Sequence, residues 1–158
     1  MTDERLIAIL NELIEASIDS EQEILLAAKQ AREPELIRAL NDTAKASLAA
    51  LAELQDQVRK FGGIAREDGS LKGALRRSWT SIRSSAIARD DHAIMEECER
   101  GQGLLRTHYG NAVELDLPRP VDALVERHHQ AIVEWHYRLL DLRNRFRDSD
   151  GRALRAND

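Results

Sequence analysis

The chain has 158 residues and a formal net charge of −5; 42% of its residues are hydrophobic and 32% are charged. This negative balance argues against an affinity of the whole protein for nucleic acid or anionic membranes. The single cysteine, Cys98, excludes an internal disulfide and a zinc site built on cysteine pairs. Since no segment resembles a membrane span or a signal peptide, we expect a cytoplasmic protein.

Two amphipathic helices are predicted in the first part of the chain. Apolar or small residues recur at alternating steps of three and four over residues 2–31 and again over 35–61. Pro34 marks the start of the second helix, and Gly62 with Gly63 marks its end. The first helix also carries a second apolar line, which is either a dimer seam or a wide core contact with a crossover helix in the following connection. That line consists of Ile7, Ile14, Ile18 and Leu25.

Two more helices are predicted after a long connection. The same periodicity returns over residues 90–113 and 121–146, and two prolines separate these segments. Residues 1–147 therefore form a single predicted domain, while residues 148–158 lose the pattern and are expected to fray. The connections run short, long, short along the chain. This order favours an all-α, ferritin-like four-helix bundle with up-down-down-up topology.

The long connection spans residues 62–89 and includes a predicted short fifth helix near residues 70–86. That helix is basic and amphipathic. Arg76, Arg77 and Arg83 are candidates for contact with an anionic surface or ligand. The alternative is that the apolar line of this helix packs on the bundle while its arginines meet acidic neighbours.

Three stretches of the sequence resemble a bacterial family of uncharacterised ferritin-like four-helix-bundle proteins, known as a domain of unknown function. They are LNELIEASIDSEQEI at residues 10–24, FGGIAREDGSLKGALRRSW at 61–79 and AIMEECERG at 93–101. The resemblance extends over nearly the whole chain, and the string that begins at Gly69 is its most specific part. It implies the ferritin-like fold but no activity, because a fold alone does not confer one.

A di-iron centre in such a bundle needs one inward Glu from each of two helices and a Glu-x-x-His from each of the other two. Helical geometry predicts inward polar side chains at Glu21, Gln102 and His128, and no acid or histidine on the second helix. Position 125, three residues before His128, is a valine. The pair with the correct spacing, Glu126 and His129, is predicted to face outward.

The inward trio permits two interpretations. Glu21, Gln102 and His128 form either a hydrogen-bonded structural layer or a weak site for iron or manganese. The first interpretation predicts a bundle without catalytic activity or cofactor that acts through protein interaction or self-association as a dimer. The second predicts a metal-binding oxidoreductase or metal-handling protein. Cys98 is expected to be a buried, unreactive thiol.

Overall fold

The computed structural model describes residues 1–70 and 90–156, with side chains in the last stretch described up to residue 146. This part of the chain is all-helical. Helix α1 spans Asp3–Gln30, α2 spans Pro34–Lys60, α3 spans Asp91–Val113 and α4 spans Arg119–Ala156. None of these helices combines the length and the apolarity that a membrane span requires. The predicted fifth helix, apart from Ser70, and the basic residues Arg76, Arg77 and Arg83 lie outside the described residues.

The helix ends follow local chemistry. Thr2 caps α1, since its Oγ1 accepts a hydrogen bond of 3.2 Å from the backbone N–H of Arg5. Pro34 occupies the first turn of α2, where a missing N–H costs nothing. At the other end of α2, Gly62 adopts a φ of 83°, and the N–H of Gly63 donates to the carbonyl of Val58 at 2.9 Å. This left-handed turn is the glycine ending that the sequence predicts.

Asp91 joins the turn between α1 and α2 to the start of α3. Its two carboxylate oxygens accept the backbone N–H groups of Arg32 and Glu33 at 2.9 and 2.8 Å. Because those N–H groups lie beyond the end of α1, they have no partner in that helix. One side chain therefore satisfies two backbone donors and fixes where α3 begins relative to the hairpin.

The helices that contact each other pair their residues in inverse sequence order. Ser17 and Ser20 of α1 meet Tyr109 and Gln102 of α3, so later residues of one helix meet earlier residues of the other. Between α2 and α4 the same inverse order holds, with Glu35 paired to Arg145 at 2.9 Å and Glu53 to Arg127 at 2.6 Å. Tyr109 and Glu99 of α3 contact His128 and Arg143 of α4 in inverse order as well.

The core consists of two apolar clusters, one towards each end of the bundle. The first contains Leu6, Leu10, Leu54, Val58, Leu105 and Val125, and the second contains Ile24, Leu36, Leu40, Ile94, Trp135 and Leu139. The buried polar side chains lie at the level where the clusters meet. They are Ser17, Ser20, Glu23, Gln102 and His128. This middle level is where the candidate functional site lies.

The second apolar line of α1 is largely covered by the chain itself. Ile14 and Ile18 are buried, and Gly63 and Gly69 of the following connection pack closely against Ile7 and Ile18. Only Leu25 remains exposed. Most of this line is therefore covered within the chain, while the crossover helix that the core alternative requires lies outside the described residues.

Candidate functional site

A row of hydrogen-bonded side chains crosses the middle of the bundle and involves all four helices. Ser17 of α1 lies 3.3 Å from the hydroxyl of Tyr109, which lies 3.5 Å from Nδ1 of His128. Nε2 of His128 lies 3.4 Å from the carboxylate of Glu53, and that carboxylate pairs with Arg127 at the surface. We call these five residues the polar layer. It runs from the buried interior of α1 to solvent between α2 and α4.

The protonation state of His128 follows from its surroundings. Burial lowers the pKa of His128, and the hydrogen bond and negative charge of Glu53 oppose that shift only in part. The neutral imidazole donates from Nε2 to Glu53, which leaves Nδ1 as an acceptor. The pKa of Glu53 is lowered, chiefly by its hydrogen bond from Arg127. The carboxylate therefore stays ionised beside a neutral ring.

Tyr109 has one proton for two acceptors. Ser17 donates its own hydroxyl proton to the carbonyl of Leu13 at 2.6 Å, so it can only accept from Tyr109. Nδ1 of the neutral His128 is an acceptor as well. The phenolic proton is thus shared, which agrees with the long separations on both sides. Burial raises the pKa of Tyr109 to about 12, so the phenol remains protonated.

Two of the three residues predicted as metal ligands meet at one cavity. Gln102 and His128 both line a cavity of about 100 Å³ at the middle level, together with Ser17, Tyr109 and Trp135. Gln102 also donates a 2.6 Å hydrogen bond to Ser20. Glu21 is half-buried, with its pKa raised by burial, and it does not line this cavity.

The lining of this cavity is short of metal ligands. No carboxylate belongs to it, and among the side chains of residues 1–70 and 90–146 no group of three or more His, Cys, Asp or Glu has an arrangement suited to a metal ion. Iron and manganese in such bundles require bridging carboxylates. The possible ligands present are one imidazole with both nitrogens engaged, one amide and four hydroxyl groups. This set is suited to holding helices together by hydrogen bonds.

Sequence reasoning missed the most deeply buried carboxylate of the described chain. Glu23, and not Glu21, is almost enclosed, with only 5% of its surface exposed. Its carboxylate lies against the backbone of Gly101, where a Cβ would fall 1.7 Å from Oε2. The signal available in the sequence was Gly101, because a glycine within a helix often marks a close approach. Glu53 was also missed, and nothing in the local sequence distinguishes it from other exposed acids.

Cys98 lies next to this carboxylate and is fully enclosed. Burial raises the pKa of its thiol well above the ordinary range, and the carboxylates of Glu23 and Glu97 raise it further. The thiolate is the reactive form of cysteine. The prediction of an unreactive, buried thiol therefore agrees with its environment.

The sequence matches the model of a protein family. The model of the family described as a domain of unknown function (DUF2383) matches residues 5–115, which is more than half of the chain. The matched region includes α1, α2 and α3, and hence every polar-layer residue except Arg127 and His128. No curated protein sequence matches the chain. On the extent of this match, the chain belongs to the DUF2383 family.

Proposed function

We propose that this chain is a non-catalytic, ferritin-like bundle of a cytoplasmic, bacterial protein that acts through self-association or protein interaction. The observation that carries the proposal is the polar layer. Both ring nitrogens of His128 face partners on two other helices, and the amide of Gln102 donates to Ser20. Buried polar groups satisfied in this way set the register of packed helices.

The ferritin-like part of the proposal rests on the order of contacts between helices. The inverse pairing of α1 with α3, of α2 with α4 and of α3 with α4 supports an up-down-down-up arrangement. Such an arrangement needs one long connection, between α2 and α3. Residues 61–90 provide a connection of that length.

The second candidate function is an iron- or manganese-dependent oxidoreductase or a metal-handling protein. The observation in its favour is that Gln102 and His128 line one cavity. A single imidazole and an amide provide no negative charge, whereas a dinuclear centre needs several carboxylates. The predicted ligand set Glu21, Gln102 and His128 would therefore have to recruit further acids. For this reason we rank it second.

A metal titration separates the two candidates. Anaerobic protein is titrated with Fe(II) and with Mn(II), its metal content is measured after desalting, and its absorption is recorded after exposure to air. His128→Ala is compared with His129→Ala, a partly exposed neighbour on the same helix. We expect no stoichiometric metal in any of these proteins. Stoichiometric binding that is lost in His128→Ala and retained in His129→Ala would establish the metal-binding function instead.

Self-association is supported by large apolar side chains at the surface of α2 and α4. Leu48 is 51% exposed and Tyr137 is 65% exposed. Sedimentation velocity over a range of concentrations tests this. We expect Leu48→Glu to weaken a dimer and Ile64→Glu, an exposed loop control, to leave it unchanged; a monomer at every concentration contradicts self-association.

A further inference from the structure

A second cavity, outside the polar layer, lies in a groove between α1 and α3. Its volume is about 430 Å³. Five carboxylates line it, from Glu12, Glu15, Asp19, Glu23 and Glu97. Among the described residues, the basic groups that line it are those of Arg100 and His108. The described part of the lining is therefore acidic, and nothing in the proposed function makes use of it.

Glu23 lies at the base of this groove, and only 5% of its surface is exposed. It makes no hydrogen bond or ion pair with another described residue. Gly101 provides the space for its carboxylate. An ionised group buried without a partner is strongly unfavourable. A cation in the groove would supply the missing partner.

The other carboxylates differ in how far they are already paired. Glu15 pairs with Arg66, and Glu97 pairs with Arg100. Asp19 accepts a 2.6 Å hydrogen bond from Ser70. Glu12 is exposed and has no ion pair within the described residues. The carboxyl groups of this lining that have no hydrogen bond or ion pair with another described residue are thus Glu12 on the rim and Glu23 on the floor.

The electrostatic environment of Glu23 agrees with this picture. Burial raises its pKa to about 8, the carboxylates of Glu97 and Asp19 raise it as well, and Arg100 lowers it. The same negative field that disfavours ionisation of Glu23 favours a bound positive charge.

The groove also has apolar walls, which consist of Ala16, Leu104 and Leu105. The side chain of Leu104 is 62% exposed, although it lies beside several acids. An inorganic ion would leave these walls uncovered, and the described residues provide no group of three side chains arranged for a metal ion. A ligand with positive ends and an aliphatic middle fits acids and apolar walls together.

We propose that the groove between α1 and α3 binds an aliphatic diamine or polyamine, with one ammonium group against the Glu23 carboxylate and its methylene chain along Leu104. The second ammonium group lies towards Glu12 at the rim. A primary ammonium offers three donors, and hydrogen bonds between two charged groups are stronger than neutral ones. This binding role goes beyond the proposed function and does not depend on it.

Isothermal titration of the full chain with putrescine and with spermidine tests the proposal. We expect saturable binding that Glu23→Gln weakens by about tenfold or more, since the variant keeps the shape of the side chain but removes its charge. The control is Glu126→Gln, which removes an exposed carboxylate on α4, away from the groove, and should leave the affinity unchanged. Circular dichroism confirms that each variant is folded.

Three results would overturn the proposal. They are absence of putrescine and spermidine binding to the wild-type chain, equal affinity in Glu23→Gln, and displacement of putrescine by Mg²⁺ or Ca²⁺ at comparable concentration. Glu12→Lys is a second variant that alters only the exposed rim and therefore avoids the buried position. We expect this variant to weaken binding as well. An unchanged affinity in Glu12→Lys would mean that the second ammonium group does not lie near Glu12, and it would reject a diamine as the ligand.

Discussion

The carboxylate of Glu23 on α1 fills the space that any side chain larger than hydrogen at residue 101 of α3 would need. A Cβ built at Gly101 would lie 1.7 Å from Oε2 and 2.6 Å from Cδ of Glu23. Real Cβ atoms do not approach other atoms this closely. A glycine inside a helix and a buried acid each destabilise a protein when they occur alone. Here the two are complementary, because the glycine leaves the space that the acid occupies.

The complementarity predicts opposite effects of alanine at two neighbouring glycines. Gly101→Ala should destabilise the protein by about 1–3 kcal/mol, because the new methyl group overlaps the Glu23 carboxylate. Gly103→Ala has nothing within 4 Å of its Cβ and should stabilise α3 by roughly 0.5–1 kcal/mol. Urea unfolding measures both free energies. Equal effects at the two positions would contradict the close contact, and Glu23→Ala should relieve the loss in Gly101→Ala.

The raised pKa of Glu23 also makes the stability of the protein depend on pH. Because its folded pKa of about 8 lies above the ordinary value of 4.5, the folded state binds the proton more tightly than the unfolded state. This contribution to stability is fully present below pH 4.5 and is lost as the pH rises towards 8. Over that interval the loss is of the order of a few kcal/mol, at about 1.4 kcal/mol per unit of pKa.

The variant Glu23→Gln isolates that contribution. We expect its melting temperature to exceed that of the wild type increasingly between pH 5 and pH 9, since glutamine does not ionise. Thermal melts at several pH values provide the measurement. A difference between the two proteins that is independent of pH would show that Glu23 is not the titrating group.

The polar layer predicts a coupling between two buried residues. Tyr109→Phe removes the hydroxyl shared by Ser17 and His128 and should cost about 1 kcal/mol or more, because both are left with one partner fewer. Tyr137→Phe is the matched control, as that tyrosine is 65% exposed and should change stability little. In a double-mutant cycle, the effects of Tyr109→Phe and His128→Ala should be non-additive. Strict additivity would mean that the 3.5 Å contact carries no energy.

Removal of the Asp91 carboxylate should destabilise the junction of α1, α2 and α3. Asp91→Ala leaves the N–H groups of Arg32 and Glu33 without their acceptor and should cost about 1–2 kcal/mol. Asp56→Ala is the control, since Asp56 forms an exposed ion pair with Arg59 and should cost much less. Hydrogen exchange gives a second readout, because the N–H groups of residues 32 and 33 should lose protection only in Asp91→Ala.

Among the inward residues, helical geometry identified some correctly and others not. The predicted inward placement of Gln102 and His128 agrees with their burial. On α2, the three-and-four spacing of apolar or small residues continues through Ser47 and Leu51, but no residue between Ala44 and Leu54 is fully buried. The middle of α2 is less covered because the cavity lined by Thr43, Ser47 and residues of α4 separates the two helices there. Periodicity along one helix carries no information on how closely its neighbour approaches.

The acid on α1 shows the same limit. A single inward line placed Glu21 nearest the core, whereas the structure buries Glu23. Helix α1 packs against α2 on one side and α3 on the other, so its buried arc is wider than one line and includes Ser20 and Glu23. Glu23 lies on the side of α3, where Gly101 leaves room for it.

The sequence by itself determined α1, α2 and α3 with their ends and the start of α4, because caps, proline, glycine and apolar spacing act on neighbouring residues. The predicted end of the fourth helix at residue 146 was too early, since α4 continues to Ala156. The sequence also led to the prediction that the inward faces lack a complete di-iron ligand set. Only the tertiary structure decided which polar groups meet. The row from Ser17 to Arg127 and the pairing of Glu23 with Gly101 each join residues far apart in the chain. Their distances depend on the packing of whole helices, and no local pattern specifies it.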